Sequence, residues 1–241
     1  MTTQPELSFP GNNWDQVLAE FQAARPIFIE AYLRQMGLSD LERAASRDRI
    51  PALIQRALPD ASAGFGLVGG FGVGKTCALA AMQRHWAEAV IDREMAWLLK
   101  NARDGYWLAE AIKHGRFAWL QRYSWVNWPT ALDAQRAKLF VHNMQYEVET
   151  WIQDKLLSNK VTVILDDIGA ERVTAQDWAG EVLARVIDER LRWGLPTLWT
   201  SNLDQVALIE RYGARVYSRL QALAPPIYLP KLPDLRRGST K

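Results

Sequence analysis

The chain has 241 residues, 49% hydrophobic and 23% charged; this excludes a disordered or collagen-like polymer, and at about 150 residues per domain it allows one full domain plus an appendage. Lys and Arg total 29 against 27 Asp and Glu, so the protein is not a globally basic nucleic-acid coat, and any nucleic-acid contact must be a local patch. One cysteine excludes an intrachain disulfide and a Cys-based zinc site, and without a long apolar run or a signal-like start a soluble, cytoplasmic protein with no membrane contact is expected.

Residues 1 to 13, with Pro5, Pro10, Gly11, Asn12 and Asn13, read as a mobile tail. From Trp14 to Leu58 apolar residues recur at helical spacing (Val17, Leu18, Phe21, then Ile27, Phe28, Ile29, Tyr32, Leu33, Met36), with a break expected at Pro26. Ala63 to Val68 is a short apolar run, followed at once by glycines and then by a helical pattern over Thr76 to Val90. Further apolar runs follow at Tyr123 to Trp128, Val161 to Leu165, Thr197 to Thr200 and Ile227 to Leu229. Apolar strands without a polar face, alternating with helices, indicate a parallel sheet covered on both sides, hence a three-layer α/β domain. Ile91 to Arg122 is longer than such a connection needs and reads as an inserted helical pair, with Trp97, Trp107 and Trp119 among Arg93, Lys100, Arg103, Lys113, Arg116 and Arg122.

Gly69-Gly70-Phe71-Gly72-Val73-Gly74-Lys75-Thr76 fits G-x-x-x-x-G-K-S/T between a strand and a helix. Glycines let successive backbone N–H groups curl around phosphate oxygens, Lys75 neutralises the β- and γ-phosphates, and the Thr76 hydroxyl ligates Mg²⁺. The dipole of the helix starting near Lys75 adds to phosphate binding, and Cys77, in its first turn, is a candidate cofactor-binding position with a thiol the dipole could acidify, or a small packed core residue. Val161 to Leu165 ends in Asp166-Asp167, and the carboxyl end of a parallel strand is where α/β ligands bind. Asp166 is the candidate Mg²⁺ holder, through water, and Asp167 the group that orients or deprotonates attacking water; helix capping is the alternative for both. Thr197-Leu198-Trp199-Thr200-Ser201-Asn202 ends in an amide able to bond a γ-phosphate and the water together, or simply to form a turn. Arg215 and Arg219, four apart, share one helical face, as phosphate-stabilising arginines or as a solvated basic face. His85, His114 and His142 are scattered, so no protein-bound metal cluster is expected. Trp151, Trp178, Trp193 and Trp199 read as packing residues.

The ordered series GGFGVGKT, VILDDIGAER, LPTLWTSNLD and YGARVYSRL resembles the AAA+ ATPases of the DnaC/DnaI helicase-loader and IstB transposition-ATPase group, over about residues 50 to 220. The resemblance implies a P-loop NTPase core with a parallel five-stranded sheet at 51–241, carrying the insertion at 91–122, behind a partner-binding helical extension at 1–50. No helical lid is expected, because the sequence stops soon after the last strand. It makes Asp166 and Asp167 the Walker B acids, with Gly169-Ala170-Glu171 as the family's continuation. Asn202 becomes the first sensor, Arg219 the arginine finger, Arg215 a neighbouring family arginine, and Arg236, in Asp234-Leu235-Arg236, a second-sensor candidate.

The function so implied is ATP- and Mg²⁺-dependent: hydrolysis of ATP to ADP and phosphate, slow and partner-stimulated, controlling homo-oligomeric assembly on single-stranded DNA or a replicative helicase. An IstB-like ATPase assisting a transposase on duplex DNA is the alternative within the fold. A P-loop small-molecule kinase and an ATP-binding scaffold without turnover are the alternatives outside it.

Overall fold

The computed structural model describes residues 14–36, 38, 40–44, 64–101, 123–159, 161–173 and 177–229. The expected N-terminal tail, residues 102–122 of the expected insertion, and Arg236 lie outside these. The chain divides into two compact units, Met1–Ile50 with Cys77–Gln121, and Pro51–Thr76 with Arg122–Lys241.

In the first unit, helix α1 spans Trp14–Gln35 and is followed by a short turn of helix, α2, at Asp40–Arg43. The break expected at Pro26 does not occur. Proline forfeits one backbone hydrogen bond, but α1 buries Val17, Phe21 and Ala24 before it and Ile29, Tyr32 and Leu33 after it, and burial on both sides outweighs that loss. Helix α3, Lys75–Asn101, belongs to this unit from Cys77 onward. It runs past the end expected at Val90, so Ile91 to Asn101 continue the helix that begins at the glycine loop. Arg25 of α1 donates two hydrogen bonds to the Asp92 carboxylate of α3, each 2.9 Å, and Glu30 accepts from Arg84 at 3.3 Å. Of the insertion tryptophans, Trp97 lies on α3 and is 48% exposed.

The second unit is a parallel sheet of five strands: β1 Phe65–Val68, β2 Tyr123–Asn127, β3 Thr162–Ile168, β4 Thr197–Ser201 and β5 Pro226–Tyr228, in the order β2-β3-β4-β1-β5. The expected α/β sheet is therefore present, with each strand within a few residues of its apolar run. Helices α4 (Trp128–Phe140), α5 (Gln145–Trp151, continued by a π-helical turn to Leu156), α6 (Trp178–Arg192), α7 (Gln205–Tyr212) and α8 (Ala214–Leu223) complete it. One sheet face presents Val68, Val126, Val163, Leu165 and Trp199 to a core built with Leu132, Val148, Leu183, Val186, Ile187 and Leu220. On the opposite face Phe65, Leu67, Ile164 and Leu198 are buried as well, which is why the strands read as continuous apolar runs.

Two polar features organise this core. The Arg190 guanidinium, fully buried, donates to Leu156 O (2.7 Å), Pro196 O (2.7 Å), Val161 O (3.2 Å) and Thr197 Oγ1 (2.8 Å), joining the segments that lead into β3 and β4. Burial among neutral acceptors brings its pKa down to about 10. Trp199 is buried as expected and its indole N–H donates to Ala224 O at 2.8 Å. Trp193 departs from the packing expectation: it is 69% exposed at the end of α6, its N–H donating to Glu189 one turn back.

Candidate nucleotide site

Strands β1, β4 and β3 lie side by side, so their carboxyl ends deliver three loops to one edge of the sheet. The first is Gly69–Gly74, leading into α3 at Lys75. Gly72 and Gly74 have φ of 74° and 89°, a region costly for residues with a Cβ, and this requires glycine where the chain curls. Phe71 stands at the loop tip, 76% exposed.

Lys75 is 7% exposed, and its ammonium donates to Gly69 O at 2.7 Å, Gly70 O at 2.9 Å and Asn202 Oδ1 at 2.6 Å. The Asn202 amide in turn donates to Asp167 Oδ1. The Thr76 hydroxyl donates to Asp166 Oδ1 at 3.2 Å, and Thr200 Oγ1 donates to the same oxygen at 2.6 Å. Lys75, Asn202 and Asp167 thus form one hydrogen-bonded set and Thr76 with Asp166 another, and Thr200 Oγ1 joins the two by donating to Asp166 and accepting from the Asp167 N–H. A hydroxyl and a carboxylate this close are the hard oxygen donors that suit a small divalent cation, so Thr76 and Asp166 fit Mg²⁺.

A backbone irregularity separates the two acids. Three steps along β3, Leu165 to Ile168, match two along β4, Trp199 to Ser201. The extra residue is a bulge, and Asp167 carries it at φ 67°. Bulges re-aim side chains: Asp166 stays on the face of Ile164 and Thr200, while Ile168 rejoins the opposite core. Asp167 is turned toward Asn202, its N–H held by Thr200 Oγ1 at 2.8 Å. Aspartate tolerates this left-handed backbone better than most residues.

The arginines lie elsewhere on the same unit. Arg215 and Arg219 are on α8, one turn apart as the spacing predicts. Arg215 is exposed, and Arg219 is ion-paired with Asp188 of α6. Cys77 is half-buried in the first turn of α3.

Sequence reasoning assigned no role to Thr200, Ser201, Arg211 or Tyr212. Thr200 and Ser201 are fully buried, and Ser201 Oγ donates to Ile168 O at 2.7 Å while accepting from Leu203 N at 3.0 Å. Their signal was available: two hydroxyl residues ending an otherwise apolar strand. Arg211 and Tyr212, on α7, converge on buried Glu171, and nothing in their local sequence marks them.

No family model and no curated protein matches this chain. Among solved structures it is similar to the DnaC helicase loader, with 17% sequence identity, 92% of this chain and 94% of that one covered, and a TM-score of 0.44. It is also similar to DnaI, with 22% identity, 79% and 94% covered, and a TM-score of 0.49.

Proposed function

We propose that the protein is a Mg²⁺-dependent ATPase whose ATP cycle controls its assembly on single-stranded DNA or a replicative helicase. The observation that carries the ATPase reading is the hydrogen-bonded chain from Lys75 through Asn202 to Asp167, beside Thr76 and Asp166. A turn former or a helix cap has no need of such a chain. The glycine loop offers backbone N–H groups to the phosphates, and Lys75 exchanges one of its acceptors for a phosphate oxygen. Thr76 and Asp166 hold the cation, which supplies charge neutralisation at the phosphates. Asp167 accepts a proton from, or orients, the attacking water, and Asn202 fixes that carboxylate while contacting the γ-phosphate. Arg219, delivered from a neighbouring subunit, stabilises developing charge; Arg215 and Arg236 act as accessory phosphate contacts.

The loader role is drawn from the ordered motif series, with residues 1–50 as the partner-binding extension and the protein at work in the cytoplasm. Filter-binding of ATP and phosphate release, with wild type and Lys75→Ala, test the site: a variant that still binds ATP normally refutes it. Gel shifts with and without ATP test the role. ATP-dependent retention of single-stranded DNA is expected, whereas preference for duplex would transfer the reading to a transposase partner.

A further inference from the structure

Behind the Asp167 turn lies a polar cluster that phosphate binding leaves unexplained. Glu171 is buried, and its Oε2 accepts from the Gly169 N–H at 2.9 Å. Its Oε1 accepts from Arg211 Nη2 at 3.0 Å and from the Tyr212 hydroxyl. Arg211 also pairs with Asp177 at 3.2 Å, and its guanidinium lies 5.0 Å from the Tyr212 ring centroid. A carboxylate taken out of water is tolerated only when charge-paired and hydrogen-bonded on both oxygens, and this one is.

What the cluster holds is specific. Ala170 N–H donates to Asp167 O at 3.2 Å, closing a turn over 167–170. Gly169 within that turn has φ 94°, and a Cβ there would lie 2.5 Å from Leu203 Cδ1. Leu203 follows Asn202, and α7, the source of Arg211 and Tyr212, begins at Gln205. The loop carrying Asp167 and the loop carrying Asn202 are therefore clamped together from behind, with Glu171 joining the first to the helix that follows the second.

We propose that Glu171 is a positioning residue for hydrolysis: gripped by Arg211 and Tyr212 of α7, it holds the Asp167–Ala170 turn against the helix after Asn202, and so sets the Asp167 carboxylate and the Asn202 amide to one another. This rests on the ATPase reading above. It separates turnover from binding, because the Gly69–Thr76 cradle is not among the groups Glu171 holds.

The test uses the full-length chain as wild type, Glu171→Gln, Tyr212→Phe and Lys75→Ala, measuring kcat, KM, affinity for a fluorescent ATP analogue and the thermal midpoint. Glu171→Gln keeps the shape and removes the charge; Tyr212→Phe removes one donor and keeps the fold. Expected is a kcat lowered about tenfold in the first and about threefold in the second, since small misplacements of a reacting group act on the chemical step, with KM and affinity within about twofold. Wild-type kcat in both variants overturns the inference, as does a fall in affinity that tracks the loss of thermal stability. In either case an active wild type and an inactive Lys75→Ala leave the ATPase reading standing. A wild type that neither binds nor hydrolyses ATP removes both.

Discussion

The Lys75 ammonium lies 2.6 Å from Asn202 Oδ1, so the lysine of the glycine loop and the amide ending β4 form one hydrogen-bonded unit. Asn202 passes that contact on to Asp167 through its other amide atom. Replacing it with alanine leaves Asp167 without this donor and removes one of the acceptors of Lys75. Asn202→Ala should lower ATP turnover by about 100-fold, the usual scale for losing one preorganised polar contact at a reacting centre. Single-turnover phosphate release measures it, and turnover within threefold of wild type would show that Asn202 only shapes the loop.

The left-handed backbone of Asp167 and its carboxylate can be separated by two substitutions. Asp167→Asn keeps a residue that accepts φ 67° and removes the carboxylate proposed to act on the attacking water, so turnover should fall about 100-fold or more with the urea midpoint unchanged. Asp167→Val places a β-branched residue in the same backbone region and should also destabilise the fold by about 1–2 kcal/mol. Equal stability of the two variants would mean the bulge relaxes when its side chain changes.

Gly66 is the cross-strand partner of Trp199, and a Cβ on it would lie 2.0 Å from the indole Cε2. The ring cannot retreat without giving up its hydrogen bond to Ala224 O. Gly66→Ala is therefore an overpacking change, expected to destabilise by about 3 kcal/mol. Urea unfolding followed by tryptophan fluorescence reads it; a midpoint equal to wild type would contradict the packing described.

Arg219 is paired with Asp188 within its own chain and both side chains are about one-third exposed, at 36% and 39%, so the guanidinium can be drawn to another partner at small expense. If it serves a neighbouring subunit, Arg219→Ala and Lys75→Ala are each inactive alone but recover turnover when mixed, each supplying what the other lacks. No recovery over a range of ratios would place the arginine's action within its own chain or remove it from catalysis.

Glu149 accepts two hydrogen bonds from Arg185 and one from Gln153. The Arg185 bonds first, then Gln153, bring its pKa from 4.5 to about 2. A depressed carboxylate pKa contributes stability above about pH 4.5 that is lost as pH falls toward 2. Both partners are over 40% exposed, at 43% and 45%, so screening holds the effect below about 1 kcal/mol. The stability difference between wild type and Glu149→Gln should be smaller at pH 3 than at pH 6, by urea titration; a difference that grows on acidification would contradict it.

The amino-acid sequence by itself determined the strands, because each centres on a short apolar run, clearest in β1, β3 and β4, where residues on both sheet faces are buried. It also marked the glycine loop, Asp166, Asp167 and Asn202 as candidates, since particular residue types stand there at a short, countable spacing, and the structure brings them to the carboxyl ends of neighbouring strands. It misjudged Pro26, where burial on both sides of the proline overrides a local breaker, and the end of α3, which runs on to Asn101. Only the tertiary structure decided that Lys75 meets Asn202 across 127 positions of chain, that a bulge turns Asp167 away from Asp166, and that Glu171 is gripped by Arg211 and Tyr212. Each of these depends on which strands lie side by side and in what register. That choice is made by the packing of whole faces, and no window of sequence contains it.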